Sequence, residues 1–224
     1  KDVDFVRVFS FDFSKAFDTV SHDILCNKLK TYNNNPYVIN WIINFLNGRQ
    51  QRVVVDGMVT NYLNIDRGVP QGTVLGPILF SLMVNDITSV SPTNVLIKYA
   101  DDITLSIPVK SRDYSEDLEN LEVANIKMKL NIIKTFEMVV KGRTKKPLPV
   151  TIEGIGRKNE LKLLGVTFNE DPCNWNTHFE QMLEKASSRL YILRICKYYG
   201  YSLQELTILF ESLIVSLFKY AIEV

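Results

Sequence analysis

The sequence predicts an α+β fold, a sheet backed by helices, and three observations carry that prediction. Apolar, β-branched runs and helical stripes alternate without the regular period of a doubly wound sheet. Residues 95–105 read as one hairpin whose apolar arms flank two adjacent acids. From Asp171-Pro172 onward the pattern is helical throughout, which divides the chain into segments 1–170 and 171–224.

Taken in order, Asp4 to Phe11 reads as a strand from nearly the first residue, and it runs into Asp12-Phe13-Ser14-Lys15-Ala16-Phe17-Asp18. A carboxylate between aromatics at a strand end needs a partner, because burying an unpaired charge costs far more than apolar neighbours return. Ser21 caps a helix in which Leu25, Leu29 and Tyr32 recur at helical spacing. Pro36 starts a second helix with Val38, Trp41, Ile42, Phe45 and Leu46 as its apolar face and Gly48 as its stop. Gln50 to Asp66 follows as a hairpin turning at Asp56-Gly57.

Gly68-Val69-Pro70-Gln71-Gly72-Thr73-Val74-Leu75-Gly76-Pro77 then precedes an apolar helix expected over residues 78–87. Its glycines permit close backbone approach, and the amides at the helix start could face a phosphate or a base. On this segment alone a structural loop explains glycine and proline equally well, though it explains Gln71 less readily. In the hairpin, Val95-Leu96-Ile97 and Ile103-Thr104-Leu105 are the arms and Ala100-Asp101-Asp102 the reversal. Adjacent aspartates also suit an ordinary turn, where they bond their own backbone.

Leu118, Leu121, Asn125, Met128 and Ile132 form the stripe of a surface helix. Residues 134–140 return as a strand, and Leu161 to Phe168 is another. In the helical tail, Thr177 with Glu180 and Ser202 with Glu205 have capping-box spacing, and Gly200 separates two helices. The chain begins directly in a strand and stops within helical sequence, as a fragment of a longer protein would.

Composition narrows the function classes. With 224 residues, 46% of them hydrophobic, the chain can bury a sizeable core. No apolar run reaches the ~18 residues of a membrane span and the first residues do not resemble a signal peptide, so an intracellular protein without a membrane partner is expected. Cys26, Cys173 and Cys196 lack the spacing of a disulfide framework or a structural zinc site. The net charge of +1 hides an uneven distribution: residues 111–124 carry five acids against one base, and residues 134–162 carry eight bases against three acids. A basic segment suits phosphate backbones, and it equally suits a solvated loop.

Asp12, Asp101 and Asp102 lie at ends of strands that can neighbour one another. Gathering them without a cation would force protonation, whereas hard cations select oxygen ligands and a metal pair can serve in-line phosphoryl transfer. Three aspartates alone serve a nuclease or a calcium site as readily.

Five motifs in order are more specific: Phe11-Asp12-Phe13-Ser14-Lys15-Ala16-Phe17-Asp18, Gly68-Val69-Pro70-Gln71-Gly72, Tyr99-Ala100-Asp101-Asp102, Lys134-Thr135 and Leu164-Gly165-Val166. Together they resemble the reverse transcriptase domain of non-LTR (LINE-like) retrotransposons over essentially the whole chain. The resemblance implies a polymerase-type palm over 1–170, an antiparallel sheet backed by helices, then the start of a helical thumb over 171–224. Fingers and endonuclease regions would lie outside this chain. It implies an RNA-directed DNA polymerase with an RNA template, a DNA primer and deoxynucleoside triphosphates as partners, and a nuclear location for target-primed synthesis.

The resemblance also assigns roles. Asp12 and Asp101, supported by Asp102, would hold two Mg²⁺ ions, with Mn²⁺ as a substitute. Phe17 would close off the sugar 2′ position, with Phe13 on the same nucleotide-binding segment. Gln71 would contact the incoming nucleotide or the template, and Gly72 would allow close approach. Lys134 would help protonate the pyrophosphate leaving group, and Leu164-Gly165-Val166 would hold the primer end. Phe136 departs from the pattern, standing where a polar residue is common. With the fingers missing, the fragment alone is expected to be inactive or weak, and a remnant that only binds nucleic acid is the alternative.

Overall fold

A computed structural model describes residues 3–32, 35–89, 91–109, 131–142, 144–220 and 222. The chain forms two compact units, Lys1–Lys158 and Asn159–Val224.

The first unit is built on a five-stranded sheet. Its central strand is β1 (Phe5–Phe11), and the chain continues through helices α1 (His22–Thr31) and α2 (Pro36–Leu46). Four two-residue strands follow, β2 (Gln50–Gln51), β3 (Val54–Val55), β4 (Met58–Val59) and β5 (Leu63–Asn64), then α3 (Leu75–Val84). The remaining sheet strands are β6 (Val95–Tyr99), β7 (Asp102–Val109), β8 (Phe136–Lys141) and β9 (Gly156–Arg157). The order is β6-β7-β1-β8-β9, antiparallel except for the short parallel pairing of β9 on β8.

Alternation along the strands separates the two faces of this sheet. Phe5, Phe9 and Phe11 on β1 and Ile103, Leu105, Ile107 and Val109 on β7 are buried together on one face. Leu25 and Leu29 of α1, and Leu79, Phe80 and Met83 of α3, join the same core. A fully buried Phe or Leu contributes about 1.5–3 kcal/mol, so this face holds most of the unit's cohesion. On the opposite face Ser10 pairs with Thr104 on one side and Phe136 on the other, and Ser106 pairs with Val8.

Several sequence expectations hold as stated. Ser21 accepts from the Ile24 amide as N-cap of α1, and Pro36 stands in the first turn of α2; the cap of α2 is Asn35, which the sequence reading did not single out and whose side chain accepts from the Tyr37 amide. Asp56 and Gly57, at φ 49° and 81°, make the turn between β3 and β4.

Others shift. In α2 the buried residues are Ile39, Ile42 and Leu46, while Val38 and Trp41 are exposed, so the core face is rotated from the expected stripe. Helix α3 starts at Leu75 rather than Ile78, because Thr73 caps its first turn: its Oγ1 accepts from the Gly76 amide at 3.1 Å and donates to the Pro70 carbonyl at 2.7 Å. Strand β8 begins at Phe136, with Ile132–Lys134 in a 3-10 turn. The helix expected from Leu118 to Ile132 lies outside the described residues except for its end.

The second unit opens with the hairpin β10 (Glu160–Leu163) and β11 (Val166–Asn169), which turns at Leu164 and Gly165, φ 48° and 87°. Helix α4 (Asn176–Tyr198) packs on it: Thr167 Oγ1 donates to Gln181 Oε1 at 2.9 Å and the Thr167 amide to His178 Nδ1 at 3.3 Å. His178 therefore supports the hairpin. Thr177 does not cap α4; it sits inside the first turn and donates to Glu160 Oε1 at 2.5 Å, which again ties helix to hairpin. These contacts place the hairpin with the helices rather than with the preceding sheet. Helix α5 (Leu203–Phe210) carries the expected capping box of Ser202 and Glu205 and continues into a π-helical turn, Glu211–Val215. Arg189 donates to the Leu213 carbonyl at 2.6 Å within that turn.

Candidate active site

The pairing of β1 with β7 ends at Phe11 and Ile103, so Asp12 lies one step beyond, opposite Asp102. Asp102 in turn pairs with Tyr99 across the β6–β7 reversal, leaving Ala100 and Asp101 as its tip. Two strand ends and one turn thus bring the three aspartates to one corner of the sheet, where alternation sets Asp12 and Asp102 on the face opposite Phe11 and Ile103.

The backbone is strained on both sides of that corner. Ala100 at φ 50° and Lys15 at φ 50° occupy the left-handed region without being glycine. Such conformations cost roughly 1–3 kcal/mol and persist where the surroundings over-determine them. After Lys15 the chain tightens into the 3-10 turn Ala16–Asp18, which folds Phe13 and Phe17 back onto Phe80, ring centroids 6.5 and 4.9 Å away. Phe13 is buried there, while Phe17 is half-buried.

A third segment reaches the corner from β8. The Asn131 amide donates to the Asp12 carbonyl at 2.8 Å, and Thr135, buried, donates through Oγ1 to the Asn131 carbonyl at 2.9 Å. This holds Lys134 so that its Nζ lies 3.8 Å from Asp12 Oδ2. Both side chains keep substantial exposure, 67% and 34%, so the pair is loose and worth at most about 1 kcal/mol. Asp12 thus has a partner, at long range and in solvent, rather than a buried one.

The pKa of Asp102 is raised, first by burial and then by the negative charges of Asp101 and Asp12. All three are hard oxygen donors on one corner with, among the described residues, the loosely held Lys134 as their cation, a donor set that suits a divalent metal. As placed, the side chains are not closed into a ligand shell: among the described residues no group of three or more His, Cys, Asp or Glu side chains is gathered tightly enough to hold an ion.

Beside the corner, the Gln71 loop is stitched to the segment after Asp12. The amides of Gly68 and Val69 donate to Val20 and Phe17 carbonyls at 2.8 and 2.7 Å. Gly68 is required, since at φ +86° a Cβ would meet Asp18 backbone at 3.0 Å. Buried His22 braces the loop through Nε2, 2.7 Å from the Gly68 carbonyl, a role its place at a helix start does not reveal. Gln71 Nε2 donates to Asp18 Oδ1 at 3.1 Å. Both line a cleft of about 530 Å³ with Lys15, Arg49, Gln51 and Arg67. Gly72, at φ +76°, has open space around it.

Sequence reasoning missed Lys15, Arg49 and Arg67 as cleft cations, because they come from three separate segments and no local run marks them. It also left the start of α3 open to an anion, whereas Thr73 already takes the Gly76 amide. Leu164, Gly165 and Val166 belong to the second unit. There Tyr220 holds the turn, its hydroxyl donating to the Leu164 carbonyl at 2.5 Å and its ring standing against Gly165. Val166 is buried.

Comparison with known proteins matches this arrangement. Residues 6–168 match the family model described as reverse transcriptase (RNA-dependent DNA polymerase). The Pol polyprotein of the type-1 retrotransposable element R2 of Popillia japonica is 29% identical over 226 residues, covering 84% of this chain and 36% of the relative. That of element R1 of Bradysia coprophila is 26% identical over the whole chain and 23% of the relative. The RNA-directed DNA polymerase of mobile element jockey from Drosophila funebris is 39% identical over 42% of this chain and 11% of the relative. The chain therefore spans about a third or less of these relatives. Among solved structures, Candida tropicalis telomerase in complex with a TWJ fragment of telomeric RNA aligns with a TM-score of 0.58 over 97% of this chain and 38% of the telomerase chain at 12% identity, a likeness of fold. With the motif order, the sheet topology and the family match in agreement, the chain belongs to the reverse transcriptase family, in its non-LTR retrotransposon branch.

Proposed function

We propose that this chain forms the palm and the beginning of the thumb of an RNA-directed DNA polymerase, which adds deoxynucleotides to a DNA primer 3′ hydroxyl on an RNA template. The observation that supports this best is the register that sets Asp12 opposite Asp102, with Asp101 at the adjoining tip. Asp12, Asp101 and Asp102 would hold divalent metal, Mg²⁺ by preference and Mn²⁺ as a substitute, which would activate the attacking hydroxyl and neutralise phosphate charge.

The chain's own residues supply the rest. Lys134, tethered near Asp12 by the Asn131 and Thr135 bonds, lies 3.8 Å from that carboxylate and is the donor of a proton to departing pyrophosphate. Phe17, its ring backed by Phe80, presents a wall at which a ribose 2′ hydroxyl would collide. Asp18 fixes the side-chain amide nitrogen of Gln71, which leaves its Oε1 as the acceptor for an incoming nucleotide or template base. Lys15, Arg49 and Arg67 give the adjoining cleft the charge that a phosphate backbone requires. The hairpin tip at Leu164 to Val166 holds the primer end, and target-primed synthesis sets the work in the nucleus.

The test is primer extension on an RNA template by the polymerase with its flanking regions present. Deoxynucleotide incorporation that needs a divalent ion and disappears in Asp101→Asn is the expected result. Salt-sensitive nucleic-acid binding without any incorporation would instead identify a non-catalytic remnant.

A further inference from the structure

We propose that Lys98 is a positioning residue, which clamps the turn bearing Asp101 and Asp102 to the C-terminal end of α3; this rests on the polymerase reading above. Lys98 lies on β6, three residues before Asp101, and alternation turns it toward the body of the unit while Ile97 and Tyr99 face outward. Its Nζ donates to the carbonyls of Val84, Asn85 and Ile87 at 3.1, 3.0 and 3.0 Å. An ammonium has three protons, so these bonds use its whole capacity.

The acceptors are at and just beyond the end of α3, where a helix leaves carbonyls unpaired and carries its negative dipole end. Lys28 of α1 secures the same end from another side, donating to the Met83 carbonyl and to Asp86 Oδ1. Lys98 is half-buried at this helix end, and burial lowers its pKa, with Asp86 opposing that shift and Lys28 adding to it.

The clamp has a task because the turn is under load. Among the described residues β6 is an edge strand, with β7 as its neighbour in the sheet. Its reversal carries a strained Ala100 and two carboxylates facing a third. Like charges push such a turn outward, and three hydrogen bonds to a helix end oppose that movement. Helix α3 begins at the Thr73 cap that follows Gln71, so it joins the nucleotide-side loop to the carboxylate turn as a strut.

The experiment compares Lys98→Met with Lys28→Met in the polymerase with its flanking regions. Lys98→Met is expected to lower kcat about tenfold or more with KM for deoxynucleotide unchanged, since small displacements of reacting groups are costly. It should also raise the Mg²⁺ concentration for half-maximal rate and speed amide exchange at residues 102–105, and Lys98→Arg should recover most of each. Lys28→Met, which frees the same helix end from the other side, should lower thermal stability without moving the Mg²⁺ dependence. The proposal is overturned if Lys98→Met leaves both Mg²⁺ dependence and exchange unchanged, or if Lys28→Met shifts the Mg²⁺ dependence equally. Should the unaltered polymerase extend no primer, the polymerase reading fails, and exchange at residues 102–105 with calorimetric Mn²⁺ binding still decides Lys98. Should Lys98→Met not fold, Lys98→Gln is read in the same ways.

Discussion

Glu137 on β8 and Asp12 at the end of β1 are carboxylates of one sheet, yet they sit in opposite company. Glu137 is fully buried, and two arginines close on it: Arg7 Nε at 2.5 Å and Arg157 through Nε and a second nitrogen at 2.9 and 2.8 Å. Both guanidinium groups also donate to backbone, Arg7 to the Val150 carbonyl at 3.3 Å and Arg157 to that of Pro149 at 2.8 Å. Asp12 has two like charges nearby and one lysine at 3.8 Å. A single acid with two cations is finished as a structure. Three acids with, among the described residues, one loose cation leave negative charge in excess, and a divalent ion would balance it.

The comparison can be broken first at its functional side. Asp101→Asn should reduce primer extension by about 10³-fold or more while thermal stability stays level or rises, because a repelling charge has gone. A fall in stability with activity retained would reverse the assignment. At the structural side, Glu137→Ala should cost about 3 kcal/mol in denaturant unfolding, since it leaves two part-buried arginines, 12% and 20% exposed, without their shared carboxylate. A loss much smaller than that would mean the arginines relax into solvent and that the two clusters differ less than they look.

Lys134→Met separates the two kinds of ion pair. Its stability effect should stay within about 1 kcal/mol, while extension should slow about 100-fold if the lysine donates a proton. Equal stability losses in Lys134→Met and Arg157→Met would erase the distinction.

The smallest effect is the pH dependence carried by Asp102. Its folded pKa lies above the unfolded aspartate value of about 3.9, so the folded state binds the proton more tightly. The destabilisation is therefore present above the folded pKa and is relieved as pH falls toward the unfolded value. Asp102→Asn should flatten that part of the stability profile, and so should a saturating divalent ion. A profile unchanged by the substitution would show that the three carboxylates do not sense one another.

Much of this was legible in the residues. The β6–β7 hairpin, the Ser21 cap, the start of α2 at Pro36, the Asp56-Gly57 turn and the Ser202 capping box follow from local rules, because each depends on side chains a few positions apart. The motif order was enough to imply the family and the three aspartates. What failed were features decided by distant partners. The buried face of α2 is chosen by what packs on it, so Trp41 faces outward despite its hydrophobicity. Thr177 has the spacing of a cap and instead serves Glu160, 17 residues away.

The sequence by itself determined which residue types stand at strand ends, where the chain turns and which helices have caps, since those preferences are written into neighbouring residues. Tertiary structure alone decided that Asp12 faces Asp102, that His22 braces Gly68, that Glu137 is closed in by two arginines, and that Lys98 reaches the end of α3. Each joins segments separated by 11 to 130 residues. Such pairings follow from sheet register and helix packing, which the whole core fixes together and no local stretch encodes.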